Sequence, residues 1–408
     1  MAEHTVIFTD NHSDKYAFSE SLLQGNPPEA LSGLRSLSGA LFSNARIADF
    51  IEEEARHQRS DLQPQPDREL RTYSSGERKK ALLAYLLQQQ PDFLILDDPF
   101  DNLDREYRES LSGQLEELAR RTLLIQLASR PSDVLPCMVH RAFLEGQNLV
   151  GFPTYEPEIP SGPRITGSIP PPPGPLSELP ETLVDFRDVS VAYSGRTIVR
   201  NIDWRIRRGE FWELRGPNGS GKTTLISLIT GDNPKAYGQE LYLFGTRKGS
   251  GESVWDIKEH IGYFTPAMAD RFRGYHSVEN MLISGLTDSV GLYQQPGDLQ
   301  LSLARQWIGL LGMEQERDVL FRDLTEGQQR LVFCARAMIK HPPLLILDEP
   351  TAALDEPSAF LVVSLIRKMA AESRTAVVFV SHRSEPGLHP EKTLFLESGQ
   401  GGSRGRIA

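Results

Sequence analysis

Residues Gly216 to Thr224 read GPNGSGKTT, a run whose residue types and spacing suit the handling of phosphate. Glycines at both ends let backbone N–H groups turn inward around anionic oxygens, and a helix starting at the lysine adds a favourable dipole. In such a loop, Gly216, Pro217, Asn218, Gly219, Ser220 and Gly221 wrap the phosphates. Lys222 reaches the β- and γ-phosphates, and Thr223, followed by Thr224, offers a hydroxyl to Mg²⁺. The apolar run FWELR before the loop and TTLISLIT after it predict a strand and a helix.

A second constellation lies downstream. LLILDEP (344–350) is a short apolar run that ends in two acids. Such a strand end often only caps the next helix. Behind a phosphate loop, however, Asp348 is the expected Mg²⁺ partner, and Glu349 the group that orients or deprotonates an attacking water. His382 closes the next apolar run, AVVFVSH, where an imidazole can sense a terminal phosphate. LTEGQ (324–328) and YSSGE (73–77) each open a helix with a hydroxyl residue and a glycine, a second device for meeting phosphate.

The elements that must carry these groups occur twice. Residues 73–104 run without gaps alongside 324–355, and the interval from Gly76 to Asp97 equals that from Gly327 to Asp348. Within each copy, helix, buried strand, helix and buried strand alternate, which predicts an α/β fold with a parallel sheet. Prolines crowd residues 151–181, so this stretch should be an extended linker. The expected organisation is therefore a first domain over 1–150, a linker over 151–181 and a complete second domain over 182–408.

Taken together, these motifs resemble an ATP-binding cassette (ABC) ATPase. The second half carries the whole set: Tyr193 ahead of the phosphate loop, GPNGSGKTT, LTEGQ, LLILDE, ALD ending at Asp355, and His382. The resemblance implies tandem P-loop nucleotide-binding domains that use ATP and Mg²⁺. In this family two cassettes sandwich ATP head to tail, each site combining one cassette's phosphate loop with the other's signature. The stretch GDNPKAYGQELYLFGTRKGSGESVWDIKEHIGY (231–263) further resembles tandem cassettes associated with molybdate import. That resemblance implies a cytoplasmic ATPase at the inner face of a cell membrane, working with separate permease subunits. Pairing could be within one chain or between two copies.

The first half departs from this pattern. It has no glycine-rich phosphate loop, and HTVIFTD (4–10) lines up with HIGYFTP (260–266), so everything equivalent to 183–259 is expected to be missing. Its sheet should then lose a buried strand and expose apolar edges. We expect the chain's start to be internal to a longer protein, or the gene to be truncated. Asp98 stands where the second half has Glu349, and Ser129 where it has His382. One competent site is expected: the second half's loop with Asp348, Glu349 and His382, closed by Ser74 and Gly76 of a first-half signature. Thr265 and Pro266 replace the family's usual glutamine, and Glu326 replaces the first signature glycine.

Composition narrows the alternatives. The 408 residues carry 44 Lys and Arg against 55 Asp and Glu, a net charge of −11, so nucleic acid is not an expected partner. The basic runs Arg205–Arg208 and Arg78–Lys80 read as solvated faces. Two distant cysteines, no signal-peptide pattern and no bilayer-length apolar run fit a cytoplasmic protein. A soluble cassette protein acting on ribosomes, or an ATP-responsive regulator, is the alternative to transport.

Overall fold

The computed structural model describes residues 3–57, 62, 68–101, 103–156, 165–175, 178–272, 274–289 and 291–408. The chain divides into two compact units, residues 1–160 with 353–356, and residues 161–352 with 357–408. Part of the expected linker, residues 157–164 and 176–177, lies outside the described residues. Of its described part, residues 151–156 fall in the first unit, and 165–175 and 178–181 in the second. There the Ile169 N–H donates to Glu372 and the Pro170 carbonyl meets the His341 ring.

The first unit holds β1 (Thr5–Phe8), α1 (Lys15–Leu23), β2 (Gly39–Phe42), α2 (Asn44–His57) and α3 (Ser75–Gln88). It continues with β3 (Phe93–Asp97), α4 (Arg105–Leu118), β4 (Leu123–Ala128), β5 (His140–Glu145) and β6 (Asn148–Val150). Its sheet runs in the order β2-β3-β4-β1-β5-β6, and only β6 is antiparallel to its neighbour. The run FLIL makes β3 because both faces of that strand are covered. Phe93 and Ile95 pack with Phe18 and Leu22 of α1, whereas Leu94 and Leu96 pack with Leu82, Leu86, Leu111 and Leu115 of α3 and α4.

The second unit opens with the long hairpin β7 (Thr182–Tyr193) and β8 (Arg196–Arg207), then β9 (Phe211–Arg215) and α5 (Lys222–Ile229). Ser194 and Gly195, both at positive φ, form the two-residue turn that right-twisted strands require. Next come β10 (Leu241–Leu243), β11 (Thr246–Arg247), α6 (Val254–Glu259), β12 (Ile261–Phe264), α7 (Val278–Ser284), α8 (Asp298–Leu311) and α9 (Glu326–Met338). The last elements are β13 (Leu344–Asp348), α10 (Glu356–Glu372), β14 (Ala376–Ser381), β15 (Lys392–Glu397) and β16 (Arg404–Ile407). The main sheet is β12-β13-β14-β9-β15-β16, and a four-stranded antiparallel sheet, β11-β10-β7-β8, lies against it. Trp204 and Phe186 of the small sheet meet Trp212 and Leu214 of β9 in one buried cluster with α5.

These orders overturn the expected alignment of the first half. β1 does not take the place of β12. It sits between β4 and β5, as β9 sits between β14 and β15, and β2 flanks β3 as β12 flanks β13. The registers agree: Phe8 pairs with Ala128 just before Ser129, and Arg215 pairs with Ser381 just before His382. Both main sheets therefore have six strands, and the expected loss of a buried strand does not occur. Among the described residues, the first unit instead has no counterpart of the antiparallel sheet. HTVIFTD and HIGYFTP resemble each other because short buried strands share a composition. Only hydrogen-bonded neighbours tell such strands apart.

Candidate functional site

In the second unit the parallel sheet delivers three loop ends to one edge. β9 leads into the loop 216–221 and α5, β13 ends at Asp348, and β14 lies between them and leads to His382. The loop turns through Gly219 at φ 76° and Gly221 at φ 100°, conformations that strain any residue with a Cβ. At Gly216 an added Cβ would lie 2.6 Å from Ser220 Oγ and 2.9 Å from the Leu396 carbonyl. The loop is thus a cradle that only these glycines permit.

Lys222 is buried, and its ammonium donates to the carbonyls of Gly216 (2.8 Å) and Pro217 (3.2 Å) across the loop. The buried Ser220 hydroxyl has no hydrogen-bond partner. Thr223 is exposed on the first turn of α5 and Thr224 half-buried beside it. Tyr193, at the end of β7, accepts a hydrogen bond at its hydroxyl from Asn233 Nδ2 (2.7 Å). Asn233 also donates to Ser227 of α5 (3.0 Å). Asn233 therefore ties the aromatic ring to the loop's helix, a role that no sequence signal announced.

Burial and the neighbouring Glu349 charge push the Asp348 carboxyl up to about 6, with the Lys222 charge pulling the other way. Glu349 adopts φ 49° and donates its N–H to the Val380 carbonyl (2.9 Å). Its carboxylate faces His382 Nδ1 at 2.9 Å, and the His382 side chain is nearly buried. The structure thus brings the acid and the imidazole together as a hydrogen-bonded pair. One hydroxyl and one carboxylate form an all-oxygen donor set, which suits Mg²⁺ that shares substrate phosphates.

Both signatures are helix caps. Thr325 and Gln328 form a reciprocal capping box on α9, and Ser74 and Glu77 form one on α3. The Ser74 hydroxyl accepts from the Glu77 N–H, and Arg68 pairs with Glu77. An added Cβ at Gly76 would lie 2.6 Å from the Tyr107 ring, so this glycine also serves close packing. Each signature helix is anchored to the loop after the acidic strand. Lys79 donates to the carbonyls of Pro99 (2.9 Å) and Asp101 (2.7 Å), and Arg330 to that of Ala352 (3.2 Å). Burial lowers the Lys79 pKa to about 8. These two anchors occupy matching places in the duplication and went unremarked because Lys and Arg differ in type.

The string GSGE (249–252) proves to be architectural. Lys248 is fully buried and pairs with Glu252 at 2.8 Å, and that carboxylate accepts the N–H groups of Gly249 and Ser250. Burial opposes the charge on Glu252, but these partners outweigh it and hold its pKa down to about 2. Thr265 and Pro266 follow β12 directly and start a short 3₁₀ turn.

At the same edge of the first sheet, the loop after β1 reads TDNHSD and leads into α1 at Lys15, matching in length the loop between β9 and Lys222. Its lysine points elsewhere. Lys15 pairs with Asp98 and with Asp97 (3.2 Å), and donates to Ser129 Oγ (3.1 Å). Ser129 in turn donates its N–H and hydroxyl to Asp98 at 2.9 and 2.7 Å. Sequence reading missed this loop because no glycine survives in it.

A glycine loop opening a helix, an acid pair one strand away and a histidine between them define the second unit as a P-loop nucleotide-binding cassette of the α/β class. The family model described as ABC transporter matches residues 199–352. The chain is 37% identical over 361 residues to the ABC transporter ATP-binding protein ModF of Escherichia coli K12, a match covering 82% of this chain and 71% of that protein. It is 30% identical over 356 residues to an uncharacterized ABC transporter ATP-binding protein of Schizosaccharomyces pombe, covering 85% and 72%. The chain belongs to the family of ABC transporter ATP-binding proteins. Among solved structures, cbiO1 from Clostridium perfringens, part of the ABC transporter complex cbiONQ, aligns with a TM-score of 0.49 and 22% identity, over 56% of this chain and 88% of that one. No helix among the described residues is long and apolar enough to cross a membrane.

Proposed function

We propose that this chain hydrolyses ATP at its second cassette and serves as the ATPase component of a molybdate-type transport system, acting with separate permease subunits at the inner face of a cell membrane. The observation that carries hydrolysis is the Glu349–His382 pair, one strand away from the phosphate loop. The molybdate assignment is supported by similarity to ModF.

In this reading the loop 216–221 and Lys222 bind the phosphates, Thr223 and Asp348 hold Mg²⁺, and Tyr193 receives the base. A bound Mg²⁺ would supply neutralisation of phosphate charge. Glu349 accepts the proton of the attacking water, and His382 Nδ1 holds the Glu349 carboxylate in one orientation. Ser74 and Gly76 of the first-unit signature serve as further phosphate contacts. The Ser74 hydroxyl keeps its own proton for donation, because its hydrogen bond from Glu77 uses only a lone pair.

The test combines turnover with fractionation. Glu349→Gln keeps the shape and removes the base, so hydrolysis of Mg·ATP should fall by about 10²–10⁴-fold while ATP binding survives. In cells this variant should sediment with membranes and bring down a multi-span protein. Unchanged turnover refutes the assigned base. Sedimentation with ribosomes refutes transport in favour of translation, and a soluble ATP-bound monomer points to a regulator.

A further inference from the structure

In the first unit the loop after β1 occupies the place that the phosphate loop holds in the second. β1 and α1 stand where β9 and α5 stand, and Lys15 stands where Lys222 stands. Three changes remove the anion site. The loop has lost its glycines, and Asp14 holds φ −85° where Gly221 needs 100°, so the amides no longer curl around a common point. Two loop carboxylates already consume donors: Asp14 accepts from the Ala17 N–H (3.0 Å), and Asp10 from the His12 N–H (2.9 Å) and the Ser13 hydroxyl (3.0 Å). Tyr16, exposed to solvent, stands at the place of Thr223, so no short aliphatic hydroxyl follows the lysine.

Lys15 meets the acid pair from within the unit, although burial still raises the Asp97 pKa. Asp97 and Asp98 are adjacent carboxylates at a strand end, and Lys15 lies against both while Ser129 fills the remaining acceptor positions of Asp98. Burial by itself would lower the Lys15 pKa, but the two carboxylates hold it above the ordinary lysine range. Burial would raise the Asp98 pKa, and Lys15 and Ser129 bring it below the ordinary range. The residues present do not fit a nucleotide with its metal.

We infer that the first unit is a nucleotide-free cassette in which Lys15 is the built-in counter-ion of the Asp97–Asp98 pair, so that each chain binds one nucleotide. The ammonium stands where phosphate and metal charge would otherwise meet these acids. The first unit then keeps its acidic-strand loop and signature helix in place without ligand.

The experiment measures binding of a non-hydrolysable ATP analogue with Mg²⁺ to the full chain by calorimetry, together with thermal unfolding. The expected stoichiometry is one per chain for wild type, none for Lys222→Ala and still one for Lys15→Met. Lys15→Met should lower the first unfolding transition by on the order of 5 °C, because it strands two carboxylates. Lys15→Met with Asp98→Asn should recover most of that loss. Two nucleotides per wild-type chain, or saturable binding in Lys222→Ala that Lys15→Met removes, overturns the inference. So does an unfolding midpoint in Lys15→Met equal to wild type. If wild type bound no nucleotide, the proposed ATPase site would fail, and the unfolding series would still decide the role of Lys15.

Discussion

Gly221→Ala isolates what the phosphate loop asks of its backbone. Gly221 caps α5 at φ 100°, and a Cβ built there lies 2.4 Å from Val199 Cγ1 and 3.2 Å from Ile198 Cγ2. Val199 cannot yield, because it is fully buried in the core beneath the loop. The left-handed conformation costs about 1–2 kcal/mol for a residue with a Cβ, and overpacking adds about 1–3 kcal/mol. The combined cost of about 2–5 kcal/mol must surface in one of two places. If the loop keeps its shape, the second unit loses that stability. If the loop relaxes away from Val199, its amides lose their aim and ATP affinity falls by roughly 30- to 5,000-fold. Gly219→Ala is the control: its φ is 76°, but nothing lies within 4 Å of the added Cβ, so only the conformational cost of about 1–2 kcal/mol applies. Calorimetric binding of an ATP analogue and thermal unfolding, run on both variants, sum the two effects. Wild-type affinity together with a wild-type midpoint in Gly221→Ala would refute the claim that Val199 walls the loop.

Two further outcomes follow from named contacts. His382→Ala removes the group that holds the Glu349 carboxylate, so kcat should fall by about 10²-fold with KM little changed, as steady-state ATP hydrolysis would show. Glu252→Gln leaves the buried Lys248 ammonium without its counter-charge. The Glu252 pKa lies near 2 when folded and near ~4.3 when unfolded. Because the folded value is depressed, the stabilisation is complete above about pH 4.3 and is lost as pH falls towards 2. Linkage sets an upper value of ~3 kcal/mol, which solvent screening at this surface loop reduces to ~1–2 kcal/mol. Urea denaturation should therefore show the variant less stable at pH 7, and the two proteins converging near pH 2.

What the sequence made legible is what short contiguous signals encode. The glycine loop at 216–221, the acidic strand ends and the duplicated spacing are local patterns, and each falls on the loop or strand predicted for it. The first unit's loop was illegible for a physical reason. Once the glycines are gone, Thr9–Lys15 is an ordinary polar turn, and its identity resides only in which strands flank β1. The Asn233 link to Tyr193 escaped notice because side chains 40 positions apart meet only in the fold. YSSGE reads as a helix cap or as a phosphate contact, and the Glu77 partner three residues beyond Ser74 makes the cap a reciprocal box. GSGE stood out as a family marker, and only the burial of Lys248 shows why an acid is needed there.

The two units solve the same electrostatic problem in different ways. Each places adjacent acids at the end of a buried parallel strand, and each acid pair needs nearby positive charge to remain ionised. In the first unit a lysine turned towards the pair supplies it, and Asp98 stays below the ordinary carboxylate range while burial still raises Asp97, the counterpart of Asp348. In the second unit the equivalent lysine turns instead to the Gly216 and Pro217 carbonyls, and Asp348 rises to about 6. The difference lies at the second acid, which Lys15 meets at Asp98 and His382 meets at Glu349. The backbone of the loop decides between the two outcomes. Gly219 and Gly221 at positive φ curl the loop so that its own carbonyls receive Lys222. Asp14, at negative φ, starts α1 so that Lys15 reaches across to β3. The residue types of this turn thus set where the lysine points, and Asp98 and Ser129, in place of Glu349 and His382, complete the self-contained cluster.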